Sequence, residues 1–318
     1  MSENDFERVP RRILLGYDGS DGAKDAVELC REIAPPDAWV IAVDVLADPG
    51  APSETFRLMT SAEFPLPEDF FEPVASRLPG CRVDTMTYVG DSPARVFEGV
   101  ASEVAIDLIV IGSPHRGAIG RVLLGSVGEA LLHGSPVPVA TAPRGYASRP
   151  HEGPKTVAVA YDGGAESRAA LAYAESIASA RRARLDLLTV ERPVDPVGGA
   201  IAYTLSLPED IDDLQRQALQ EVDPSLDLRR RTLHGPTAEA IADACEEDVD
   251  LLVVGSRGYG TFERVLLGST STALIHKAPC PVVVVPRPAE KEGARASVAT
   301  TWAKPGWSTA AADLGSAS

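Results

Sequence analysis

The chain repeats itself at a period of about 143 residues, and this repeat limits its architecture more than any other feature. Four segments return in the same order: ILLGYDGS (13–20) as VAVAYDGG (157–164), DLIVIGS (107–113) as DLLVVGS (250–256), RVLLGS (121–126) as RVLLGS (264–269), and SPVPVATAPR (135–144) as APCPVVVVPR (278–287). Solenoid repeats have periods of only about 20–50 residues. Each copy should therefore be a domain with its own core.

The repeat divides the 318 residues into two units, which we predict at 11–144 and 155–288. Residues 145–154 are rich in Gly, Pro and polar residues and read as a linker, and residues 1–10 as an N-terminal arm. Residues 289–318 have no hydrophobic periodicity and are predicted to be disordered. Trp302 and Trp307 lie in this tail, which is interpreted as solvated, with a docking motif as the alternative.

Charge and composition argue against several classes of partner. The chain has 46 acidic and 30 basic residues and a formal net charge of −16, which disfavours binding to nucleic acids or anionic membranes. It shows neither a signal peptide nor an apolar run of about 18 residues. The four cysteines are far apart in sequence and form no CxxC pair, which favours a reducing compartment. We therefore expect a soluble cytoplasmic protein, in which local backbone dipoles could still hold a phosphate.

Short apolar strands alternate with helical segments in both units, which indicates parallel, doubly wound α/β sheets. The pattern predicts strands at 12–17, 39–45, 82–88, 108–111 and 137–141, with helices at 21–34, 93–104 and 126–133. In the second unit it predicts strands at 156–160, 184–190, 228–232, 251–254 and 282–285, with helices at 165–180, 236–246 and 269–276. Residues 46–66 and 191–208 are predicted to be surface loops between the second strand of each unit and the next helix.

Three features of the second unit should converge at the carboxyl ends of its strands, where open parallel sheets bind ligands. Asp162 ends the first strand, and its carboxylate could accept hydrogen bonds from an adenine or a ribose. Gly255 and Gly258 follow the fourth strand, where glycines let backbone N–H groups approach phosphates. Gly268 and Ser269 open a helix, whose N-terminus suits an anion. The spacing is G-x2-G-x9-G-[ST], which differs from a P-loop.

These motifs, together with the terminal strand PCPVVVVP, resemble those of the universal stress protein family in a tandem arrangement. The resemblance covers about residues 11–288. It implies two five-stranded parallel-sheet domains of the Rossmann-like, adenine nucleotide alpha hydrolase type. One branch of the family binds ATP, whereas members outside it bind no nucleotide. Carried over, the ATP contacts of the second unit would be Asp162, Val190 (backbone to adenine), Gly255, Gly258, Gly268 and Ser269, with Mg²⁺ left open.

The first unit departs from this pattern. The second glycine is replaced by His115, whose Cβ crowds a phosphate, and Pro114 before it has no N–H to donate. Ser126–Glu129 also spells a capping box, in which Glu129 would occupy the helix N-terminus. Against this, His115 could itself hydrogen-bond a phosphate. We predict a degenerate site and nearer one ATP per chain than two; the positions that still match are Asp18, Gly112, Gly125 and Ser126.

Three equivalent pairs receive mainly structural interpretations. His133 and His276 fall near helix C-termini, where contact with carbonyls is favoured over metal binding, and Asp107 and Asp250 precede the fourth strand as turn or cap residues. Arg121 and Arg264 follow the glycine loop and would reach either a phosphate or solvent.

The sequence as a whole favours an ATP-binding stress-response and signalling protein. No nucleophile–base constellation, poised carboxylate pair or Walker lysine is evident, so at most a slow ATPase is expected. The alternatives are a nucleotide-free interaction scaffold and an adenylating or hydrolytic enzyme. The last strands, 137–141 and 282–285, should pair edge to edge and join the units as a pseudo-dimer, with homodimerisation left open.

Overall fold

We analysed a computed structural model of the chain, which describes residues 9–48, 56–59, 66–114, 121–122, 124–149, 152–191, 208–256 and 269–287. The first unit runs β1 (Arg12–Gly16), α1 (Asp21–Ile33), β2 (Trp39–Ala47), β3 (Phe56–Leu58), α2 (Glu72–Arg77), β4 (Arg82–Gly90), α3 (Pro93–Val104), β5 (Leu108–Gly112), α4 (Ser126–Gly134) and β6 (Val139–Ala142). The predicted tail, 289–318, with Trp302 and Trp307, and most of the N-terminal arm lie outside the described residues.

The second unit repeats this order with one strand fewer among the described residues. It runs β7 (Thr156–Ala160), α5 (Ala165–Arg181), β8 (Arg184–Glu191), α6 (Pro208–Glu221), β9 (Leu228–His234), α7 (Thr237–Asp248), β10 (Leu251–Gly255), α8 (Ser269–Lys277) and β11 (Val282–Val285). None of the described helices is both long and apolar enough to span a bilayer.

All eleven strands form one sheet in the order β3-β4-β2-β1-β5-β6-β11-β10-β7-β8-β9. Within each unit the neighbouring strands are parallel, except for the short β3, which runs antiparallel along the outer edge of β4. The strand order reverses at β1 and at β7, which creates a crevice at the carboxyl end of each parallel set. The predicted parallel α/β architecture is confirmed.

The two units join through β6 and β11, which pair antiparallel with Val283 opposite Ala140. The predicted edge-to-edge pairing of the last strands is therefore confirmed. Because the joining strands are antiparallel, the strands of the two units point in opposite directions. Their carboxyl ends, and with them the two crevices, lie at opposite edges of the sheet.

Each face of the sheet carries a hydrophobic core that draws residues from both units. One core contains Ala26 of α1 and Ala170 of α5, and the other contains Leu131 of α4 and Leu274 of α8. Equivalent helices therefore cover the same face in the two units. The central strands are buried on both sides, which explains their continuous apolar sequences.

Two arginines bridge the units by donating to carbonyls at helix C-termini. Arg181 at the end of α5 donates to the carbonyl oxygens of Ala34 and Arg31, just after and within the last turn of α1. Arg121 of the first unit donates to the carbonyl oxygen of Lys277 (3.1 Å). Guanidinium groups satisfy carbonyls that a helix end leaves without intrahelical partners. Arg121 is exposed, as one of the two sequence interpretations predicted, and it also contacts the second unit.

The predicted linker is partly structured. Residues Tyr146–Ser148 form a single 3₁₀ turn against α1. The backbone N–H groups of Gly145 and Ala147 donate to the buried Asp25 carboxylate (2.7 and 2.8 Å), and the Tyr146 hydroxyl donates to Glu32 (2.6 Å). These bonds satisfy acidic side chains that α1 would otherwise bury unpaired.

One strand was not predicted from the sequence, and two helices were predicted only by their position in the order of elements. The segment 46–66 was expected to be a loop, but its first two residues belong to β2 and Phe56–Leu58 forms β3. The helices α2 and α6 follow the two predicted loops, where the sequence placed the next helix of each unit without giving its bounds. In the predicted loop 191–208, Glu191 belongs to β8 and Pro208 to α6, and the residues between lie outside the described part.

Candidate functional site

Equivalent positions in the two crevices are defined by one backbone hydrogen bond that both units share. The Tyr17 N–H donates to the Val43 carbonyl, and the Tyr161 N–H donates to the Leu188 carbonyl, both at 2.9 Å. Asp44 is therefore equivalent to Thr189, as Asp18 is to Asp162.

Asp18 and Asp162 occupy the same turn at the end of the first strand of each unit. The Ser20 N–H donates to Asp18 Oδ1 and the Gly164 N–H to Asp162 Oδ1, both at 3.0 Å. In each turn the residue between the aspartate and the residue that donates to it is a glycine with positive φ, +75° at Gly19 and +78° at Gly163. Residues with a side chain adopt this backbone conformation only with strain. Both aspartates are exposed at the carboxyl end of their strand.

Gly112 and Gly255 end the fourth parallel strand of each unit, close against the first turn of a helix. A Cβ at Gly255 would lie 2.6 Å from the carbonyl oxygen of Glu166 in α5, and a Cβ at Gly112 would lie closer still to the carbonyl oxygen of Gly22 in α1. Both positions therefore require glycine for helix–strand packing, whatever the crevice binds. This packing role accounts for the shared glycine in the first unit, where the second glycine of the loop motif is replaced by His115.

Much of the predicted phosphate loop lies outside the described residues. Gly258, Gly268 and Arg264 of the second unit, and His115 of the first, belong to this part. Ser269 is described only as the first residue of α8. The structure therefore brings Asp162, Val190 and Gly255 to the carboxyl end of one sheet, and adds no geometry for the loop itself.

The predicted capping box at Ser126–Glu129 is wrong. The helix α4 begins at Ser126, so its N-cap is the extended Gly125, which has no side chain to accept the first N–H groups. The backbone N–H of Glu129 instead donates to the Gly125 carbonyl (2.9 Å). A capping box needs the Ser or Thr one residue earlier, at the N-cap itself.

Two buried hydroxyls at the carboxyl ends of β8 and β10, beside the second crevice, were missed by the sequence argument. Thr189 and Ser256 are 3% and 1% exposed, and neither hydroxyl has a hydrogen-bond partner among the described residues. In the first unit Ser113, the equivalent of Ser256, donates its hydroxyl to the Ala142 carbonyl at 2.8 Å. An unpaired buried hydroxyl is costly, so two of them beside one crevice indicate groups that a ligand could satisfy.

Asp44 gives the first crevice a different polar character. Its carboxyl group is 5% exposed, and burial together with the nearby Asp18 carboxylate raises its pKa to about 6. The first crevice thus pairs two carboxyl groups where the second pairs Asp162 with a threonine. No sequence motif marks this difference, although it is visible once the two second strands are aligned by register.

Different side chains cover the two turns. The Tyr17 ring packs edge-on against Phe70 at 5.6 Å and lies 5.8 Å from Phe71. In the second unit Leu214 of α6 packs against Gly163. The longer α6 thus replaces an aromatic cluster with an aliphatic contact.

The remaining predicted residues have structural roles where the structure describes them. Asp107 accepts the N–H groups of Arg11 and Arg12 (3.0 and 2.8 Å), and Asp250 accepts those of Lys155 and Thr156 (2.8 and 2.9 Å). These aspartates therefore have a structural role, but they bind the start of a neighbouring strand and do not cap a local turn. His133 and His276 lie in the last turns of α4 and α8, as predicted.

Comparison with known proteins identifies the same pattern. The profile described as the Universal stress protein family matches residues 10–143 and again residues 154–286. A universal stress protein of Mycolicibacterium smegmatis is 31% identical over 202 residues, which is 61% of this chain and 66% of that protein. One from Thermus aquaticus is 33% identical over 134 residues, 41% of this chain and 98% of that protein.

Solved structures show the same fold. A universal stress protein from Archaeoglobus fulgidus superposes with a TM-score of 0.64 at 23% identity, covering 86% of this chain and 98% of that one. A functionally unknown protein from Pseudomonas aeruginosa gives a TM-score of 0.56 at 15% identity, covering 89% and 95%. With its profile matched twice in tandem, over most of its length, the chain belongs to the universal stress protein family.

Proposed function

We propose that the second unit binds ATP and that the chain acts as a non-catalytic, ATP-dependent regulator in stress response. The observation that carries this proposal is the pair of unsatisfied buried hydroxyls, Thr189 on β8 and Ser256 directly after β10, the two strands that flank β7. Hydroxyls can both donate and accept, so they suit a ligand with ribose hydroxyls and phosphate oxygens.

The residues that would hold the nucleotide follow from the motif and its place on the sheet. Asp162 would accept from the ribose or adenine, the Val190 backbone would meet the adenine, and the loop Gly255–Gly258 with Gly268 and Ser269 would hold the phosphates at the start of α8. The helix dipole and backbone N–H groups there stabilise anions even in an acidic protein. Bound Mg²⁺ would neutralise part of the phosphate charge.

The first unit supports a scaffold role instead. Its Ser113 hydroxyl is already bonded, and its buried Asp44 adds negative charge where the second unit has none. We therefore expect one ATP per chain, held at one edge of a sheet that both units share. We also place the protein in the cytoplasm, where its four cysteines, all free, would stay reduced.

The test compares one substitution with its counterpart in the other unit. Gly258→Asp puts a carboxylate into the second phosphate loop, and His115→Asp puts the same group at the equivalent position of the first. In thermal denaturation with Mg-ATP at about a hundredfold excess over Kd, the wild-type chain should gain about 5 °C or more in Tm. The Gly258→Asp variant should gain nothing, and the His115→Asp variant should match the wild type.

Two further measurements complete this test. Nucleotide released from the heat-denatured chain should be an adenine nucleotide, and calorimetric titration of nucleotide-free chain should give about one site. A wild-type chain with no ATP-dependent change in Tm, or a two-site titration removed equally by both variants, would contradict the proposal.

A further inference from the structure

The end of the second parallel strand carries the largest chemical difference between two otherwise equivalent crevices. Asp44 and Thr189 occupy the same register position, one residue after the carbonyl that accepts from Tyr17 or Tyr161. They are 5% and 3% exposed, so neither can turn to bulk solvent. The residue before each, Val43 or Leu188, and the residue after each, a valine in both units, are apolar.

The threonine leaves the second crevice neutral at this point. Its hydroxyl has no partner among the described residues and lies one strand away from Asp162. Of the two positions, 162 and 189, only Asp162 then has an acidic side chain. Its carboxylate can accept a hydrogen bond from a ligand hydroxyl, while the Thr189 hydroxyl donates one to the ligand. A ligand with vicinal hydroxyls and a distal anionic group matches this arrangement.

The aspartate has the opposite effect in the first crevice. Asp44 lies close enough to Asp18 for the two carboxylates to repel each other. Like charges in a site of low dielectric interact much more strongly than in water. A triphosphate bound farther along the same crevice would bring further negative charge near this pair.

We propose that this position is the specificity determinant of the chain: Thr189 admits an anionic nucleotide to the second unit, and Asp44 excludes it from the first. This inference rests on the proposed ATP binding of the second unit and names the residue that restricts it to that unit. It also explains why the two crevices can share a turn, a glycine and a fold without sharing a ligand.

The test transfers each residue to the other unit in the full-length chain. Thr189→Asp is compared with Thr189→Asn, which has nearly the same size and no charge, by calorimetric titration with Mg-ATP at pH 8. The aspartate variant should bind at least tenfold more weakly than the asparagine variant. Asp44→Thr should add a second, weaker binding event at millimolar ATP. Circular dichroism and Tm of each variant without nucleotide establish that it is folded.

The outcomes separate this inference from the proposed function. A wild-type chain that binds ATP, together with equal affinities of the Thr189→Asp and Thr189→Asn variants, would overturn the inference and leave the proposed function intact. A titration of Asp44→Thr that is identical to the wild type would overturn the exclusion assigned to Asp44. A wild-type chain that binds no ATP would overturn both.

Discussion

The two crevices of this chain have the same backbone and different chemistry. Each has an aspartate whose carboxylate accepts an N–H two residues later, and each has a glycine packed against a helix. The polar groups buried behind these features differ. The first crevice has a bonded Ser113 and a buried acid, whereas in the second the corresponding hydroxyl of Ser256 and that of Thr189 have no partners in the described structure.

The difference separates constraints of folding from constraints of binding. Contacts that hold the sheet, such as the Asp107 and Asp250 carboxylates at the starts of β1 and β7, are the same in both units. Side chains that would touch a ligand have diverged. Because both units belong to one polypeptide, each is a control for the other under identical conditions.

The largest expected effect concerns the glycines that we assign to packing. Gly112→Ala and Gly255→Ala place a Cβ against a helix carbonyl, so each should lower the free energy of unfolding by about 3 kcal/mol, with the larger loss at Gly112. Urea denaturation without nucleotide measures this. If Gly255 served only to admit a phosphate, its alanine variant would lose ATP binding with no loss of stability, and the comparison between units would fail.

Next in size is the pH dependence of Asp44. Its pKa in the folded chain, about 6, lies above the ordinary value of 3.8, so the folded state holds this proton more tightly than the unfolded state. Wild-type stability should therefore fall as pH rises from about 4 to 6. Asparagine does not titrate, so Asp44→Asn removes this loss. The free energy of unfolding of the variant minus that of the wild type should therefore increase between pH 4 and pH 8, by up to about 3 kcal/mol.

The matched control for this measurement is Thr189→Val in the second unit. Neither side chain titrates, so its difference from the wild type should be constant between pH 4 and pH 8. A pH-independent difference for Asp44→Asn would show that this carboxyl group titrates normally, and the electrostatic contrast between the crevices would be lost.

Repeats and apolar strands were enough to predict the parallel sheets and the edge-to-edge pairing of the last strands, although not that this pairing is antiparallel. These structural features could be predicted because each follows from a local apolar pattern or from the need to pair an exposed strand edge. Thr189 and Ser256 gave no such signal, because a lone hydroxyl residue in an apolar strand is common. Whether such a hydroxyl is satisfied depends on neighbours that only the fold brings together.

The same limit explains the errors in the first unit. Ser126 and Glu129 have the spacing of a capping box, but the helix begins one residue too early for Ser126 to act as the cap. Arg121 stands next to the glycine loop in sequence, yet it donates to the Lys277 carbonyl across the joint. Side-chain contacts between the units, such as this one, depend on how the units are placed relative to each other, and the local sequence around Arg121 does not indicate that placement.

The smallest expected effect has the clearest contrast between units. Ser113→Ala removes a hydroxyl that donates to the Ala142 carbonyl, and it should lower the free energy of unfolding by about 1 kcal/mol. Ser256→Ala removes a hydroxyl without a described partner, so stability without nucleotide should be unchanged or slightly higher.

In the presence of Mg-ATP, the variant with the larger defect should be Ser256→Ala, and no longer Ser113→Ala. Ser256→Ala should show a smaller ATP-dependent rise in Tm than the wild type, because the ligand loses a hydrogen-bonding partner, whereas Ser113→Ala should keep the full rise. Urea denaturation and thermal shift on the same two proteins measure both effects. If both variants lose the same stability without nucleotide, the Ser256 hydroxyl has a hydrogen-bond partner within the folded chain. The second crevice would then have one unsatisfied hydroxyl fewer to offer a ligand.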